Sequence, residues 1–211
     1  MSAPVLVCFA VSQEAKPFQK LIRTRRDVAV VITGMGARQA ERSIRSALGQ
    51  FSPRLVLTCG FAGALDPKMR IGDVLYEGAA IPDPLLAKLR SAGTRPAKFF
   101  CAERVATTAR EKSELHTRTG ADAVEMESRI IGAVCLAQGL TCVTLRAISD
   151  VAGEDLPLDF NALMTPEENL SFSRLAWSIV KAPQKIPALM RLGRHSAQAA
   201  GQLARVLNAV V

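Results

Sequence analysis

The chain has 211 residues, 49% of them hydrophobic, which suits one domain with a sizeable core. No apolar stretch reaches the roughly 18 residues that span a bilayer, and Met1-Ser2-Ala3-Pro4 puts no basic region ahead of its apolar run, which argues against a spanning helix or a signal peptide. The net charge of +8 is uneven: every acid lies at or before Glu168, leaving Arg174, Lys181, Lys185, Arg191, Arg194 and Arg205 unopposed, a pattern that fits either an anionic partner surface or a solvated helix face.

In chain order, the apolar run Val5 to Ala10 precedes a predicted helix near Gln13 to Ile22, and Val28 to Ile32 precedes one over Ala37 to Leu48. Leu55 to Cys59 leads through a glycine-rich turn to a strand over Gly72 to Tyr76. A strand at Lys98 to Cys101, a helix from Thr108 to about His116, a strand at Ala121 to Val124 and a helix over Ser128 to Gln138 follow. Thr141 to Ile148 reads as a strand, and helices over 167–180 and 186–208 close the chain. Such alternation predicts an α/β fold with a mostly parallel or mixed twisted sheet flanked by helices. It divides into residues 1–182 as the α/β domain and 183–211 as a basic amphipathic tail. Cys8, Cys59, Cys101, Cys135 and Cys142 are scattered and lack metal-ligand spacing, as buried hydrophobes of a reducing cytoplasm would be.

Two acids end consecutive elements. The strand at Val124 runs through Glu125-Met126-Glu127 into a helix, and the next strand ends at Ser149-Asp150. Open α/β sheets bind ligands at the carboxyl ends of strands, so Glu127 and Asp150 are candidates to converge on one small molecule. Glu14 follows the first strand in the same pattern. Gly34-Met35-Gly36 and Gly60-Phe61-Ala62-Gly63 follow the second and third strands, where glycine lets backbone approach a ligand. Neither fits the dinucleotide fingerprint or the P-loop.

This order of motifs, with Ile71-Gly72-Asp73-Val74 and Arg146-Ala147-Ile148-Ser149-Asp150, resembles the nucleoside phosphorylase and nucleosidase superfamily over roughly residues 4 to 180. The methylthioadenosine/S-adenosylhomocysteine nucleosidases are the subgroup it most resembles. Asp122 to Ser128 and Ile186 to Arg194 are further similar to the hopanoid-associated nucleosidases, which remove adenine from adenosylhopane.

The resemblance implies hydrolysis of an N-glycosidic bond, with no cofactor or metal. Asp150 would protonate purine N7 with help from Ser149, Glu127 would hold the ribose hydroxyls, Met126 would pack on the sugar and Glu14 would activate water. Gly60, Phe61, Ala62 and Val105 would line the substrate. Phe61 and Val105 are the base contacts, since the family's stacking aromatic has no clear counterpart. Arg146, inside an apolar strand, must reach a carboxylate or the surface, and Glu125 is its assigned partner.

A purine nucleoside phosphorylase and a non-catalytic nucleoside-binding module are the competing readings. The arginine that precedes the second glycine turn in the hexameric phosphorylases is replaced by Thr58-Cys59, and Ser12-Gln13-Glu14 replaces their phosphate segment, which favours water, although Arg38 follows the first glycine turn. Placed on a helix, Ile186, Leu189, Met190, Leu203, Leu207 and Val210 share one side, facing either the core or an anionic membrane at the inner leaflet. A small-molecule nucleoside, lipid-linked in the second case, is the expected partner, in a homodimer. With one Trp and one Tyr the chain lacks the interleaved aromatics of a nucleic-acid groove.

Overall fold

Strand runs that are apolar at odd and even positions alike require a sheet covered on both faces. The computed structural model, which describes residues 3–165 and 172–211, has that architecture. Its elements are β1 (Val5–Phe9), α1 (Ser12–Leu21), β2 (Val28–Ile32), α2 (Ala37–Phe51), β3 (Leu55–Ala64), β4 (Val74–Glu77), α3 (Asp83–Ser91), β5 (Arg95–Pro96), β6 (Phe99–Cys101), α4 (Ala109–Thr119), β7 (Ala123–Glu125), α5 (Ser128–Ala137), β8 (Cys142–Asp150), α6 (Phe160–Leu163), α7 (Phe172–Lys181) and α8 (Ile186–Val210).

The strands order as β2-β1-β3-β8-β4-β5, with β7 pairing the end of β3 and β6 pairing β7. Pairings of β1 with β2 and β3, and of β3 with β8, are parallel, whereas β4 runs antiparallel to β8. Val5, Val7 and Phe9 of β1 face a core shared with Phe18 of α1 and Leu203 and Leu207 of α8. Leu6 and Cys8 face the opposite core, with Ile44 and Leu48 of α2 and Ile131 and Val134 of α5. Because β2 and β3 leave β1 on opposite sides, the carboxyl ends of β1 and β3 flank a topological switch point, where such sheets open a crevice.

Several expectations change. Gly60 to Gly63 are not a turn: β3 continues through them to Ala64, pairs with β8 and shifts register between Ala62 and Gly63. Helices α3 and α6 and the short β5 lie where the sequence shows no clear period. The start of the predicted helix over 167–180 falls outside the described residues. Of the two settings open to α8, Leu203, Leu207 and Val210 take the core. The large exposed apolar residues near this end are instead Trp177, Val180, Ile186 and Met190. No helix among the described residues is long and apolar enough to cross a membrane.

Candidate functional site

A cavity of about 230 Å³ opens at the switch point, lined by Glu14, Phe61, Ala62, Val105, Glu125, Met126, Glu127, Ser149 and Asp150 among others. Nine of the ten residues selected from the sequence therefore meet in one place, although they come from α1, β3, β7, β8 and the connections beside them. A larger open groove of about 900 Å³, lined by Phe99, Phe100 and Leu136, contains none of them.

Glu14 sits in the first turn of α1, where orphan N–H groups favour a carboxylate. Its Oε2 accepts from the backbone N–H groups of Ala10 and Val11, each at 3.1 Å, and its Oε1 from Phe61 N–H at 2.8 Å. Burial raises its pKa, outweighing those hydrogen bonds and the charge of Arg146.

The tenth residue, Gly60, does not line the cavity. A Cβ there would come within 2.7 Å of Glu14 Oε1 and 3.2 Å of Arg146 Nη1. A Cβ on Gly63 would lie 2.9 Å from Asp150 Oδ2. The glycines of β3 thus make room for the protein's own carboxylates.

Arg146 is almost fully buried in β8 and settles the fates of two neighbouring acids. Its Nη2 contacts Glu125 Oε2 at 2.6 Å, the pairing expected from the sequence, and lies 3.7 Å from Glu127 Oε2. Burial pushes the Glu125 carboxyl up, but Arg146 and Ser128, whose Oγ donates at 2.6 Å, outweigh it and hold the group below its ordinary value. Glu127, farther from the guanidinium, is dominated by burial and rises to about 7. Its Oε1 accepts from Gly36 N–H at 3.0 Å, so the first glycine turn holds this acid at the cavity wall.

At the other side, Asp150 Oδ1 accepts from Ser149 Oγ at 2.9 Å. Its Oδ2 lies 2.6 Å from Nζ of Lys112, a fully buried lysine of α4 that sequence reasoning missed. Asn161 of α6 was missed as well; its side chain donates to Val105 O and accepts from Val105 N–H, both at 2.9 Å, fixing that wall. Leu156 and Asp150 also border a second small cavity lined by Ala188, Arg191, Leu192 and His195 of α8.

The Phosphorylase superfamily model matches residues 12–100 and 87–181. The chain belongs to this superfamily. Within it, the chain is 25% identical over 180 residues to the 5′-methylthioadenosine/S-adenosylhomocysteine nucleosidase of Marinomonas sp. (strain MWYL1), covering 69% of this chain and 78% of that protein. Among solved structures, the Helicobacter pylori 5′-methylthioadenosine/S-adenosylhomocysteine nucleosidase with butyl-thio-DADMe-Immucillin-A superposes with a TM-score of 0.73 at 17% identity, over 100% of this chain and 98% of that one. Native Helicobacter pylori futalosine hydrolase also gives 0.73, at 18% identity over 98% and 96% of the two chains. These likenesses establish the superfamily fold around the cavity.

Proposed function

We propose that this superfamily member hydrolyses the N-glycosidic bond of an adenine nucleoside that carries a bulky apolar 5′ substituent, releasing adenine. The observation that carries this reading is the convergence of Glu14, Glu127 and Asp150 on one cavity with apolar walls. In the mechanism, Asp150 delivers a proton to purine N7, so the base leaves as a neutral molecule. Glu127 accepts hydrogen bonds from the ribose hydroxyls, and Met126 packs on the sugar face. Glu14, whose burial makes it more basic than an ordinary carboxylate, takes the proton of the attacking water. Phe61 and Val105 flank the base.

Electrostatics favour water over phosphate. Glu14, Glu125, Glu127 and Asp150 all line the cavity, and Arg104, the one lining cation among the described residues, pairs with Glu111 at 2.5 Å. A phosphorylase needs unpaired cations to hold its phosphate, and the cavity lining offers none among the described residues. Relatives named as nucleosidases agree with this choice. The experiment is product identification in phosphate buffer: free 5-substituted ribose supports hydrolysis, and a ribose 1-phosphate overturns it.

A lipid-linked 5′ group fits the end of the molecule beside Asp150. Helix α8 borders Asp150 through Ala188 and Arg191. Trp177, Val180, Ile186 and Met190 of α7 and α8 are exposed, and Lys181, Lys185, Arg191 and Arg194 share the same two helices and the turn between them. Apolar side chains among unopposed cations suit an anionic bilayer surface.

A further inference from the structure

Lys112 has no place in the mechanism above, yet its side chain is fully buried, which is rare for lysine without a dedicated partner. Its Nζ reaches three acceptors: Asp150 Oδ2 at 2.6 Å, the carbonyl of Val151 at 2.9 Å and that of Glu154 at 3.1 Å. An ammonium has three N–H donors, and this set uses all of them. Asp150 meanwhile accepts on both oxygens, from Lys112 on Oδ2 and from Ser149 Oγ on Oδ1. In that ion pair Asp150 faces a donor at each oxygen, and the proton nearest to hand for the acid assigned to the leaving base is on the ammonium.

We propose that Lys112 is that supply, a positioning residue that acts through Asp150; the inference rests on the general-acid reading of Asp150. As the C1′–N9 bond breaks, its electron pair passes into the purine. Lys112 passes a proton to Asp150 and Asp150 hands it on to N7, so one N–H bond at Lys112 is exchanged for one at N7 and Asp150 ends as it began. Water adds its hydroxyl to C1′ and leaves its other proton on Glu14. Adenine departs neutral, Lys112 is left as an amine, and exchange with solvent on product release returns a proton to Lys112 and removes one from Glu14. The geometry makes the transfer local, because Nζ lies 2.6 Å from Asp150 Oδ2 and the amine keeps two N–H groups for two of its three acceptors until it is reprotonated.

The test compares two substrates on the full chain. One is 5′-methylthioadenosine, whose base needs protonation; the other is a p-nitrophenyl riboside with the same 5′ group, whose leaving group departs as a stable anion. Lys112→Arg keeps a charge beside Asp150 but yields its proton far less readily, and Lys112→Met removes both charge and proton. Both variants should lower kcat for adenine release about 10²- to 10⁴-fold with little change in KM, while nitrophenol release stays within a few-fold of wild type. Equal losses on both substrates, or wild-type adenine release by Lys112→Arg, would overturn the proposal. A variant-free measurement guards against misfolding: in wild type, kcat against deuterium fraction should curve downward for the adenine substrate more than for the nitrophenyl one. Identical isotope profiles overturn the relay. Asp150→Asn separates the two layers, since full adenine release by that variant removes Asp150 and the relay together, whereas a crippled Asp150→Asn beside a fully active Lys112→Arg removes the relay alone.

Discussion

Gly36 and Glu127, 91 positions apart in the chain, are joined by a hydrogen bond from the Gly36 backbone N–H to Glu127 Oε1 at 3.0 Å. It aims the acid into the cavity yet leaves it dominated by burial, at about 7 against an ordinary 4.5. The folded protein therefore holds this proton more tightly than the unfolded chain does. The contribution to stability is fully present below the unfolded value and is lost as pH rises through about 7. Glu127→Gln, which stays neutral, should show a smaller fall in melting temperature than wild type between about pH 5 and about pH 8. Nucleoside binding near neutral pH should release protons in wild type, because ribose hydroxyls favour the ionised acceptor, and should release none through this group in the variant. Calorimetry in buffers of different ionisation enthalpy measures that release.

Glu14→Gln and Asp150→Asn should each reduce turnover about 10²- to 10⁴-fold while keeping a cooperative melting transition, with its midpoint lowered because backbone donors or the buried Lys112 lose a carboxylate partner. Near-wild-type adenine release by either purified variant would remove that residue from the mechanism.

Arg146 and Glu125 form a buried pair at 2.6 Å, so Arg146→Met should cost about 3–5 kcal/mol by stranding Glu125, as read from denaturant midpoints. Replacing both residues together should cost less. Because Glu125 is held below its ordinary value, its contribution is present above the unfolded carboxyl range and is lost as pH falls through the folded value. Wild type should accordingly be more acid-sensitive than the double variant.

Gly60→Ala and Gly63→Ala place a Cβ 2.7 Å from Glu14 Oε1 and 2.9 Å from Asp150 Oδ2 respectively, so both carboxylates must move. Shifts of about 1 Å in a reacting group cost on the order of 100-fold in rate, and activity should fall by that order while secondary structure by circular dichroism is retained. Unchanged kcat in both variants would show that the two acids tolerate displacement.

The sheet was legible because its strands are continuous apolar runs, and β1 is buried on both faces as such runs require. Glu14, Glu127 and Asp150 were legible because each follows a strand in one family order. Lys112 was not. It lies in a helix among Arg110, Glu111 and Glu114, and its Nζ is held by Asp150 and the loop carrying Val151 and Glu154, which are distant in sequence. The glycines of β3 could not be read further, because an unfilled Cβ position does not say whether a ligand or a neighbouring carboxylate takes the space. Amphipathic spacing in α8 likewise could not separate core from lipid: Leu203 and Leu207 are in the core, while Ile186 and Met190 on the same side are exposed.

The chain has one tryptophan, Trp177, which is exposed on α7, so its fluorescence reports directly on docking through that helix. Phosphatidylglycerol vesicles at low salt should shift its emission to the blue, high salt should reverse the shift, and phosphatidylcholine vesicles should have little effect. Trp177→Glu and Met190→Glu should abolish vesicle co-sedimentation and spare cleavage of a small soluble nucleoside. Co-sedimentation equal to wild type would place lipid contact elsewhere, and loss of self-association by the same variants would make the patch an interface between copies.

The most direct test is the initial rate of adenine release from a series of 5′-alkylthioadenosines in phosphate-free buffer. The account predicts turnover without phosphate, kcat/KM that rises with alkyl length, and no stimulation when phosphate is added. Adenine release that appears only with phosphate, or that falls steadily as the chain lengthens, would contradict it.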